Sequence, residues 1–425
     1  MSKFVIRGGR PLSGTLKPVG NKNAALPMLA ASVLTDAPVT LRNMPHIEDV
    51  AVMLDLLKRL GVSIERRGRT VILCAKGLHS TRLNRDLCRR VRGSILLAGP
   101  LAARHGQVSL YPPGGDVIGR RRVDTHFYGL RELGISLSGA SRFVLKRTRL
   151  RGADLLLDEA SVTATENILM AASLARGKTT IFNAACEPHV RDLGVLLSKM
   201  GARIQGLGTN RIRVEGVPKL NGAIHTLSPD HIEVGSYIAA AAATRGQIQV
   251  QGMTDTTSLK VVERGFQKLG MSWSTRGARL SLRQTTPLRI QKDLGSAVPR
   301  IEDGIWPAFP SDLMSVAIVL ATQASGTILF FEKLFESRMY FVDRLIEMGA
   351  QIIQCDPHRV MVTGPSKLHA TLQTSPDIRA GMALIIAALC AKGESIIDNA
   401  QVIDRGYEHV DERLQALGAH IERVD

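Results

Sequence analysis

The stretch PPGGDVIGRRRVDTH, from Pro112 to His126, combines one carboxyl group with a run of three arginines. Asp116 follows two glycines and precedes Arg120, Arg121 and Arg122. A protonated carboxyl group can act as a general acid, and guanidinium groups bind carboxylate or phosphate through paired hydrogen bonds. Because glycine adopts backbone conformations that other residues resist, the stretch either closes over a ligand or forms a plain surface turn. It is a candidate for acid chemistry on an anionic substrate.

A second candidate lies near the start of the chain, where Lys22 and Asn23 precede the helical pattern AALPMLAASVL. The backbone N–H groups and the positive dipole end of a helix favour a bound anion, and the ammonium group adds a full charge. The alternative interpretation is that Asn23 caps the helix and Lys22 is solvated.

A third candidate is Asp312 in the stretch FPSDL, a carboxylate that could accept a proton from a hydroxyl group. On residue type alone, an aspartate before the apolar run LMSVAIVLATQ is better explained as a helix N-cap. The choice between base and cap requires more than this segment.

The elements that must position these residues follow a repeat. Nearly the same phrase recurs at glycines about 70 residues apart, a period typical of repeat architectures. Each glycine follows a helical pattern and precedes alternating residues, which predicts a helix that ends at a glycine C-cap and leads into a strand. The phrases are RLGVSI at Gly61, ELGISL at Gly134, KMGARI at Gly201, KLGMSW at Gly270, EMGAQI at Gly349 and ALGAHI at Gly418.

A second series of segments lies between these glycines, and LLAGPLAARHGQVSL and SYIAAAAATRGQIQV are examples. Each predicts a helix of small residues, a turn and a strand. Six repeats of this size exceed one compact core, so we expect two domains of three repeats, with alanine-rich helices inside and sheets outside. The boundary is predicted near residues 226–235, and a groove between two such domains is a natural ligand site.

The composition is that of a soluble globular protein, with 44% hydrophobic and 22% charged residues. The start MSKFVIRGGRPLSG is unlike a signal peptide, and the longest apolar runs are shorter than the roughly 20 residues of a membrane span. We therefore expect a cytoplasmic protein without a membrane span. The five cysteines are scattered and never in C-x-x-C spacing, which indicates neither a disulfide framework nor a metal site.

The formal net charge of +17 predicts a surface that attracts anions, either phosphorylated small molecules or nucleic acid. A basic nucleic-acid-binding repeat protein is therefore one alternative. Aromatic residues make up only 4% of the chain, which leaves few platforms for stacking bases, and we expect no nucleic-acid partner.

Seven motifs along the chain carry a resemblance to known proteins, namely KPVGNKNAALP, PPGGDVIGRRRVDTH, SVTATENILMAA, FPSDL, FESR, DIRAGMAL and IDRGYEHVDERLQALGAHIERV. They resemble motifs of the UDP-N-acetylglucosamine 1-carboxyvinyltransferases, members of the enolpyruvyl transferase family. The resemblance runs in order from about Lys3 to the C-terminus. It implies transfer of enolpyruvyl from phosphoenolpyruvate to the 3-hydroxyl of UDP-N-acetylglucosamine, without a cofactor or a metal. That reaction is the first committed step of peptidoglycan precursor synthesis.

The family resemblance also implies a fold. It is an α+β, two-domain inside-out α/β barrel built from six βαβαββ repeats, three in each domain. Residues 22–229 are expected to form the domain with the catalytic loop, and residues 1–21 and 230–425 the second domain. The active site is expected in the cleft between the two domains.

The resemblance assigns roles residue by residue. Lys22, Arg92, Arg121 and Arg405 match positions that hold phosphoenolpyruvate, and Asp312 matches the base or positioner of the sugar hydroxyl. Arg121, Arg122, Val123, Asp124 and Thr125 match the uridine-binding segment. Ser161, Val162 and Thr163 match a phosphate-contacting turn in which the family usually has glycine at the last position. Asn23 and Leu334 match contacts to the sugar nucleotide, and Arg338, Asp377 and Arg379 match further active-site positions. The expected catalytic set is Asp116, Asp312, Lys22 and Arg405.

Asp116 is a departure from most of the family, which has cysteine there on a loop that supplies the acid. Free Asp and Cys side chains titrate near ~3.9 and ~8.5, so a free aspartate is ionised at neutral pH. Exclusion of water and a nearby phosphate would favour the protonated carboxyl, while the adjacent arginines oppose it. Because fosfomycin alkylates the loop thiolate in this family, we expect the protein to be fosfomycin-insensitive.

The resemblance leaves two neighbouring activities as alternatives. One is a paralogue that uses the same fold on another UDP-sugar, and the other is a related enolpyruvyl transferase that acts on shikimate phosphate. The stretch GNKNAALP differs from the glycine-rich phosphate-binding signature of the shikimate enzymes, which favours a UDP-sugar substrate.

Overall fold

The computed structural model of the protein describes residues 2–116, 118–254 and 256–424, and the chain divides into two compact units. One unit contains Gly20–Asp116 and Arg121–Ser228, and the other contains residues 2–19, 118–120 and 229–424. We call them the Lys22 unit and the Asp312 unit, after one candidate site residue in each.

The helices of the Lys22 unit are α1 (Lys22–Ala31), α2 (Glu48–Arg59), α3 (Arg85–Arg90), α4 (Ala98–His105), α5 (Asp124–Glu132), α6 (Val162–Ala172) and α7 (Pro188–Lys199). Those of the Asp312 unit are α8 (His231–Ala243), α9 (Thr257–Gln267), α10 (Met314–Thr322), α11 (Val342–Glu347), α12 (Ile378–Cys390) and α13 (Val410–Gln415). Short 3₁₀ turns that carry candidate residues are Arg92–Leu97, Ser311–Leu313, Arg338–Phe341 and Ala400–Arg405.

The strands up to residue 226 are β1 (Lys3–Arg7), β2 (Ser13–Leu16), β3 (Val39–Arg42), β4 (Ser63–Arg67), β5 (Thr70–Cys74), β6 (Gln107–Leu110), β7 (Ile135–Ser138), β8 (Phe143–Arg147), β9 (Asp154–Leu156), β10 (Lys178–Phe182), β11 (Arg203–Gln205), β12 (Arg211–Glu215) and β13 (Ala223–Thr226). The later strands are β14 (Gln247–Gln251), β15 (Ser274–Arg276), β16 (Arg279–Arg283), β17 (Leu288–Arg289), β18 (Arg300–Glu302), β19 (Ala324–Phe331), β20 (Gln351–Asp356), β21 (Arg359–Gly364), β22 (Leu372–Thr374), β23 (Glu394–Asp398) and β24 (His420–Val424).

The predicted repeat is clearest in β9, α6, β10, α7, β11 and β12, which follow one another as βαβαββ. Their sheet has the order β11-β12-β10-β9, with β9 parallel to β10 and the other pairs antiparallel. Two other sheets of the Lys22 unit have the orders β13-β3-β5-β4 and β6-β8-β7. In the three-stranded sheet, a single parallel bridge between Arg82 and Ser109 takes the place of the fourth strand. Three sheets of the Asp312 unit follow the same plan.

Strands from the chain's start complete two sheets of the Asp312 unit. β1 lies between β23 and β24, antiparallel to both, and β2 pairs in parallel with β14. In the Lys22 unit, β13 pairs in parallel with β3 and completes the sheet of the first repeat. The predicted α+β architecture of six βαβαββ repeats, three in each unit, is confirmed.

The small-residue helices form the centre of each unit, as predicted. All 13 residues of α8 are buried, and α8, α10 and α12 contact one another in the Asp312 unit. In the Lys22 unit α6 contacts α1 and α4. Alanine allows helix backbones to approach closely, and a helix that is apolar on every side must be covered on every side. The amphipathic helices, such as α2, instead bury one face.

The recurrent glycines are confirmed as helix C-caps. All six have positive φ, from 81° at Gly270 to 106° at Gly201. At Gly201 the N–H donates to Ser198 O (3.0 Å), and the next N–H, of Ala202, donates to Leu197 O (2.9 Å). These paired bonds satisfy the last carbonyls of α7, and a residue with a side chain would adopt this backbone at a cost of about 1–2 kcal/mol.

Two of these glycines in the Lys22 unit allow a matched test. A Cβ atom at Gly134 would lie 2.0 Å from Arg149 O, whereas at Gly201 the nearest atom is 3.7 Å away. We expect Gly201→Ala to lower the free energy of unfolding by about 1–2 kcal/mol from backbone strain alone. Gly134→Ala adds a steric clash with backbone and should cost at least about twice as much, measured by urea unfolding. Equal losses in the two variants would contradict the clash.

Candidate active site

The start of α1 is a buried cationic position in the Lys22 unit. Asn21, not Asn23, caps the helix, because its side chain accepts the N–H of Ala24 at 3.0 Å. Lys22 lies in the first turn with its Nζ 2.8 Å from Asp49 Oδ2, and both side chains are at most 10% exposed. The alternative of a capping Asn23 beside a solvated Lys22 is therefore wrong. A buried ammonium group at the start of a helix places positive charge where an anion is favoured.

Arg92 and Arg121 place like charges close together. Arg92 begins a 3₁₀ turn, and its Nη2 donates to the carbonyls of Arg121 and Arg122 at 3.1 Å each. Burial and, after it, the charge of Arg121 lower the pKa of Arg92 to about 10. Two guanidinium groups that disfavour each other's charge are stabilised by an anion bound to both.

The predicted uridine segment divides between surface and core. Arg122 Nε pairs with Asp124 Oδ2 at 2.7 Å, and both side chains are more than half exposed. Val123 is half-buried before α5, and Thr125 is buried, with its hydroxyl donating to Asp158 Oδ1 at 2.6 Å. Asp158 thereby fixes the first turn of α5.

A buried histidine orients the hydroxyl group of Thr163. Asn167 Nδ2 donates to Ile95 O (2.8 Å) and to His126 Nδ1 (2.9 Å), so the His126 hydrogen lies on Nε2. That Nε2–H donates to Thr163 Oγ1 at 3.0 Å. Burial lowers the pKa of His126 to about 3, and the charge of Arg92 acts in the same direction, so the ring is neutral at physiological pH. Thr163 accepts this bond and can donate its own hydrogen to an anion.

Ser161, Val162 and Thr163 form the N-terminus of α6. The Ser161 side chain caps the helix by accepting the N–H of Ala164 at 3.4 Å. Val162 and Thr163 are the first two helical residues, whose backbone N–H groups have no partner within the helix. Eleven residues of helix behind them make this end suitable for phosphate.

In the Asp312 unit, Asp312 is held between two arginines. Its Oδ1 lies 3.2 Å from Arg338 Nη2 and its Oδ2 lies 2.8 Å from Arg379 Nη2. The arginine side chains are 2% and 7% exposed, whereas that of Asp312 is 28% exposed. The N-cap of α10 is Leu313, so the interpretation of Asp312 as that cap is wrong. The carboxylate is partly accessible and fixed in orientation, as a base for a substrate hydroxyl must be.

Two further carboxyl groups lie behind Arg338. Glu332 is completely buried, and Ser311 Oγ lies 2.8 Å and 3.0 Å from its two oxygens. Its Oε2 is 3.7 Å from Arg338 Nε, beyond hydrogen-bonding distance. Burial, and next a hydrogen bond with the buried Asp303, raise the pKa of Glu332 to about 9 against the opposing charge of Arg338.

Asp377 presents Arg379 at the start of α12. Asp377 is the N-cap residue, and its Oδ1 accepts the N–H groups of Arg379 (2.8 Å) and Ala380 (3.0 Å). The Arg379 guanidinium lies 5.4 Å from the centre of the Tyr407 ring. Burial opposes the charge of Arg379, but Asp312, Tyr407 and Asp230 together outweigh burial and raise the pKa of the guanidinium.

Arg405 ends a 3₁₀ turn whose position is fixed by the preceding residue, Asp404. Arg423 donates to both oxygens of Asp404 at 2.8 Å each, and to Asp411 Oδ2 at 3.1 Å. Bidentate pairing of this kind fixes position as well as distance. Arg405 itself is half-buried.

The two glycines before Asp116 are required for different reasons, Gly114 for a close backbone approach and Gly115 for a positive φ. A Cβ atom at Gly114 would lie 1.7 Å from Arg89 O, and Gly115 has φ +108°. Asp116 is half-buried. Leu334 is 43% exposed, so its side chain is accessible to a ligand.

The structure groups the predicted residues and adds others. Arg92 contacts the Arg121–Arg122 backbone, Thr163 contacts His126, and Asp312 contacts Arg338 and Arg379. The additions, which residue type alone did not indicate, are Asp49, His126, Asp158, Asn167, Asp303, Ser311 and Glu332. His126, Asn167 and Ser311 lay within quoted motifs, whereas the four acidic residues Asp49, Asp158, Asp303 and Glu332 did not.

The described residues, 2–116, 118–254 and 256–424, contain no group of three or more His, Cys, Asp or Glu side chains placed to hold a metal ion. No helix among these residues is long and apolar enough to cross a membrane.

Known proteins resemble this chain over its full length. The profile of the EPSP synthase (3-phosphoshikimate 1-carboxyvinyltransferase) family matches residues 6–414. A UDP-N-acetylglucosamine 1-carboxyvinyltransferase from Treponema denticola is 51% identical over 99% of both chains, and one from Bradyrhizobium diazoefficiens is 51% identical over 99% of this chain and 98% of its own. The fold matches the crystal structure of the enolpyruvyl transferase NikO from Streptomyces tendae with a TM-score of 0.88, at 23% identity, over 100% of this chain and 99% of that one. The chain therefore belongs to the enolpyruvyl transferase family, within the group of the UDP-N-acetylglucosamine 1-carboxyvinyltransferases.

Proposed function

We propose that the protein transfers the enolpyruvyl group of phosphoenolpyruvate to the 3-hydroxyl of UDP-N-acetylglucosamine and releases phosphate. The supporting observation is an oriented, partly exposed carboxylate, Asp312, held by two buried arginines in a chain 51% identical to relatives of that name. The reaction serves peptidoglycan precursor synthesis in the cytoplasm, and through it cell shape, the cell cycle and division.

The cationic residues supply an anion clamp for phosphoenolpyruvate. Lys22, Arg92, Arg121 and Arg405 bind its phosphate and carboxylate groups. The mutual repulsion of Arg92 and Arg121 supports this role, because a bound anion relieves it. A guanidinium pair also matches carboxylate and phosphate geometry better than ammonium groups would.

The sugar nucleotide is bound by segments that offer backbone and side-chain donors. The diphosphate meets the start of α6, where Ser161, Val162 and Thr163 lie, and the uridine meets residues 121–125. Asn23 and Leu334 contact the sugar, and Asp377 holds the helix end that presents Arg379.

Asp312 accepts the proton of the sugar 3-hydroxyl during addition. Arg338 and Arg379 each hold one of its oxygens, so the lone pairs that face solvent are aimed in one direction. Positioning of this kind lets the hydroxyl oxygen attack as its proton leaves.

Asp116 donates a proton to the methylene carbon of phosphoenolpyruvate. The adjacent carbon becomes electrophilic, the hydroxyl oxygen adds to it, and a tetrahedral phosphate intermediate forms. Removal of a proton from the new methyl group then expels phosphate and restores the double bond. The donor must be a protonated carboxyl, which exclusion of water and a neighbouring phosphate favour. The scheme uses no metal ion or cofactor.

Substrate requirement is the first test. Phosphate release should require phosphoenolpyruvate and UDP-N-acetylglucosamine together, because the hydroxyl must add before phosphate can leave. UDP-glucose and shikimate 3-phosphate serve as matched acceptors that should give at least about a hundredfold lower kcat/KM. Release with another acceptor at equal rate, or tight salt-sensitive RNA binding without any release, would replace this proposal.

Replacement of the proton donor is the second test. Asp116→Ala and Asp116→Asn should lower kcat by about 10²–10⁴ while substrate binding persists, because neither side chain can donate the proton. Asp116→Cys should remain active, since a thiol can supply it.

Fosfomycin distinguishes the same variants by mass spectrometry. The parent protein should remain unlabelled at moderate inhibitor concentration, because a carboxylate is a poorer nucleophile than a thiolate. Asp116→Cys should gain one covalent adduct, on the thiol introduced at position 116. Full turnover by Asp116→Ala, or labelling of Asp116 itself, would show that the loop carboxyl has another role.

The proposed base gives a third test. Asp312→Asn should reduce kcat by about 10²–10⁴ with little change in UDP-N-acetylglucosamine affinity, because the amide retains its size but accepts no proton. Asp343→Asn, at an exposed position of α11, removes the same charge and should leave kcat unchanged. Equal kinetics for the two variants would remove Asp312 from the mechanism.

A further inference from the structure

Asp303 and Glu332 are two carboxyl groups in the core of the Asp312 unit, 1% and 0% exposed. Asp303 lies just after β18 and Glu332 just after β19, two strands that pair in parallel. Neither residue has a role in the proposed reaction. Two adjacent buried anions would destabilise the fold unless hydrogen-bond donors or cations compensate both charges.

The donors around this pair are few. Ser311 supplies a single hydroxyl hydrogen, which points between the two oxygens of Glu332. The backbone N–H of Lys333 donates to Asp303 Oδ1. Asp303 Oδ2 is buried, and among the described residues it has no hydrogen-bond donor if both carboxyls are ionised.

The pairing of β18 with β19 sets Glu302 opposite Phe331, and the N–H of Asp303 donates to Phe331 O at 3.2 Å, so Asp303 and Glu332 follow paired positions. The pKa of Glu332 is raised by a hydrogen bond with the Asp303 side chain. Carboxylate oxygens only accept, so such a bond requires a proton on one of the groups. The nearest cation does not replace this proton, because Arg338 Nε remains 3.7 Å from Glu332 Oε2 and makes no hydrogen bond there.

We infer that Asp303 and Glu332 share one proton, and that this protonated pair is a positioning device that leaves the Arg338 guanidinium to Asp312. The inference rests on the proposed function in that it gives Asp312 its role at the sugar hydroxyl.

The charges around Arg338 explain why the proton matters. Its guanidinium faces Asp312 Oδ1 at 3.2 Å and Glu332 Oε2 at 3.7 Å. With one shared proton, Asp303 and Glu332 carry a single negative charge, and the two arginines balance that charge and Asp312. Loss of the proton adds a second anion that draws Arg338 toward Glu332 and away from Asp312.

The other groups around Glu332 do not provide a compensating charge. His358 contacts the backbone of Glu332 and not its carboxyl group. The ring Nδ1 of His358 lies 2.7 Å from Glu332 O, and the His358 carbonyl accepts the Glu332 N–H at 2.8 Å. The ammonium of Lys333 pairs with Glu302, and Arg379 holds the other oxygen of Asp312. Arg338 is therefore the group that responds to the charge of the pair.

The first experiment measures the proton without reference to turnover. Infrared difference spectra at pH 7 should show a protonated carboxyl C=O band that is absent in Glu332→Gln. The pKa of Glu332, about 9, is raised above that of an unfolded glutamate, so its stabilising contribution is complete at low pH and is lost as pH rises towards 9. The melting temperature of Glu332→Gln relative to the parent should therefore increase steadily between pH 5 and pH 9.

Glu412→Gln is the matched control for this experiment. Glu412 is in the same unit, on α13, and its side chain is 71% exposed. It should give neither the infrared change nor the pH-dependent melting difference. An unchanged carboxyl band in Glu332→Gln, or a pH-independent melting difference, would overturn the shared proton even if the proposed reaction holds.

The second experiment measures the effect on Asp312. Glu332→Gln mimics the protonated residue and should keep kcat within about threefold of the parent. Asp303→Asn offers amide donors to Glu332, which should then ionise at neutral pH, compete for Arg338 and lower kcat by roughly tenfold with little change in KM for phosphoenolpyruvate. The double variant Asp303→Asn/Glu332→Gln has no anion in the pair and should recover the activity of Glu332→Gln.

The outcomes separate this inference from the proposed function. If the parent protein lacks transferase activity, the proposed function fails, while the infrared and melting results still decide the shared proton. If the parent is active but the double variant remains as slow as Asp303→Asn, the pair is only structural and the positioning role is refuted.

Discussion

A helix that is surrounded by protein can present polar groups only at its ends. In the Asp312 unit α8 and α10 are buried along their whole length, and in the Lys22 unit all but one residue of α1 is buried. The first backbone N–H groups of such helices have no partner within the helix and must be satisfied by caps or ligands. Several of the candidate site residues lie at these N-terminal ends. They include Lys22 at α1, Ser161–Thr163 at α6, Asp312 just before α10, and Asp377 with Arg379 at α12.

The same constraint explains the two electrostatic patterns of the site. In the Lys22 unit, the guanidinium groups of Arg92 and Arg121 disfavour each other's charge, and an anion bound to both would relieve this repulsion. Arg92 has a lowered pKa, and His126 stays neutral, so added positive charge is avoided there. In the Asp312 unit, arginines and carboxyl groups alternate, and the opposite charges orient one another. Binding chemistry and proton-transfer chemistry thus use different local balances of charge.

Much of the fold could be predicted from the sequence because its signals are local. Each recurrent glycine follows an amphipathic helix, and the positive φ at that position is decided by the neighbouring turns. Alanine-rich segments predicted buried helices for the same reason, since their composition leaves no polar face. The candidate residues Lys22, Asp312 and Arg379 were also accessible from motifs. The buried acids Asp49, Glu332 and Asp303 were not, because nothing in the short stretches around them distinguishes them from ordinary surface residues.

The sequence by itself determined the repeat, the ends of its helices and the types of side chain available for chemistry. Those features depend on interactions within a few residues of chain. Only the tertiary structure decided that Asp312 pairs with arginines 26 and 67 residues away, and that Asn21 rather than Asn23 caps α1. It also placed two carboxyl groups beside each other where one proton must serve both. Charge pairing depends on distance through space and on exclusion of water, and the chain acquires both only when the sheets close over the central helices.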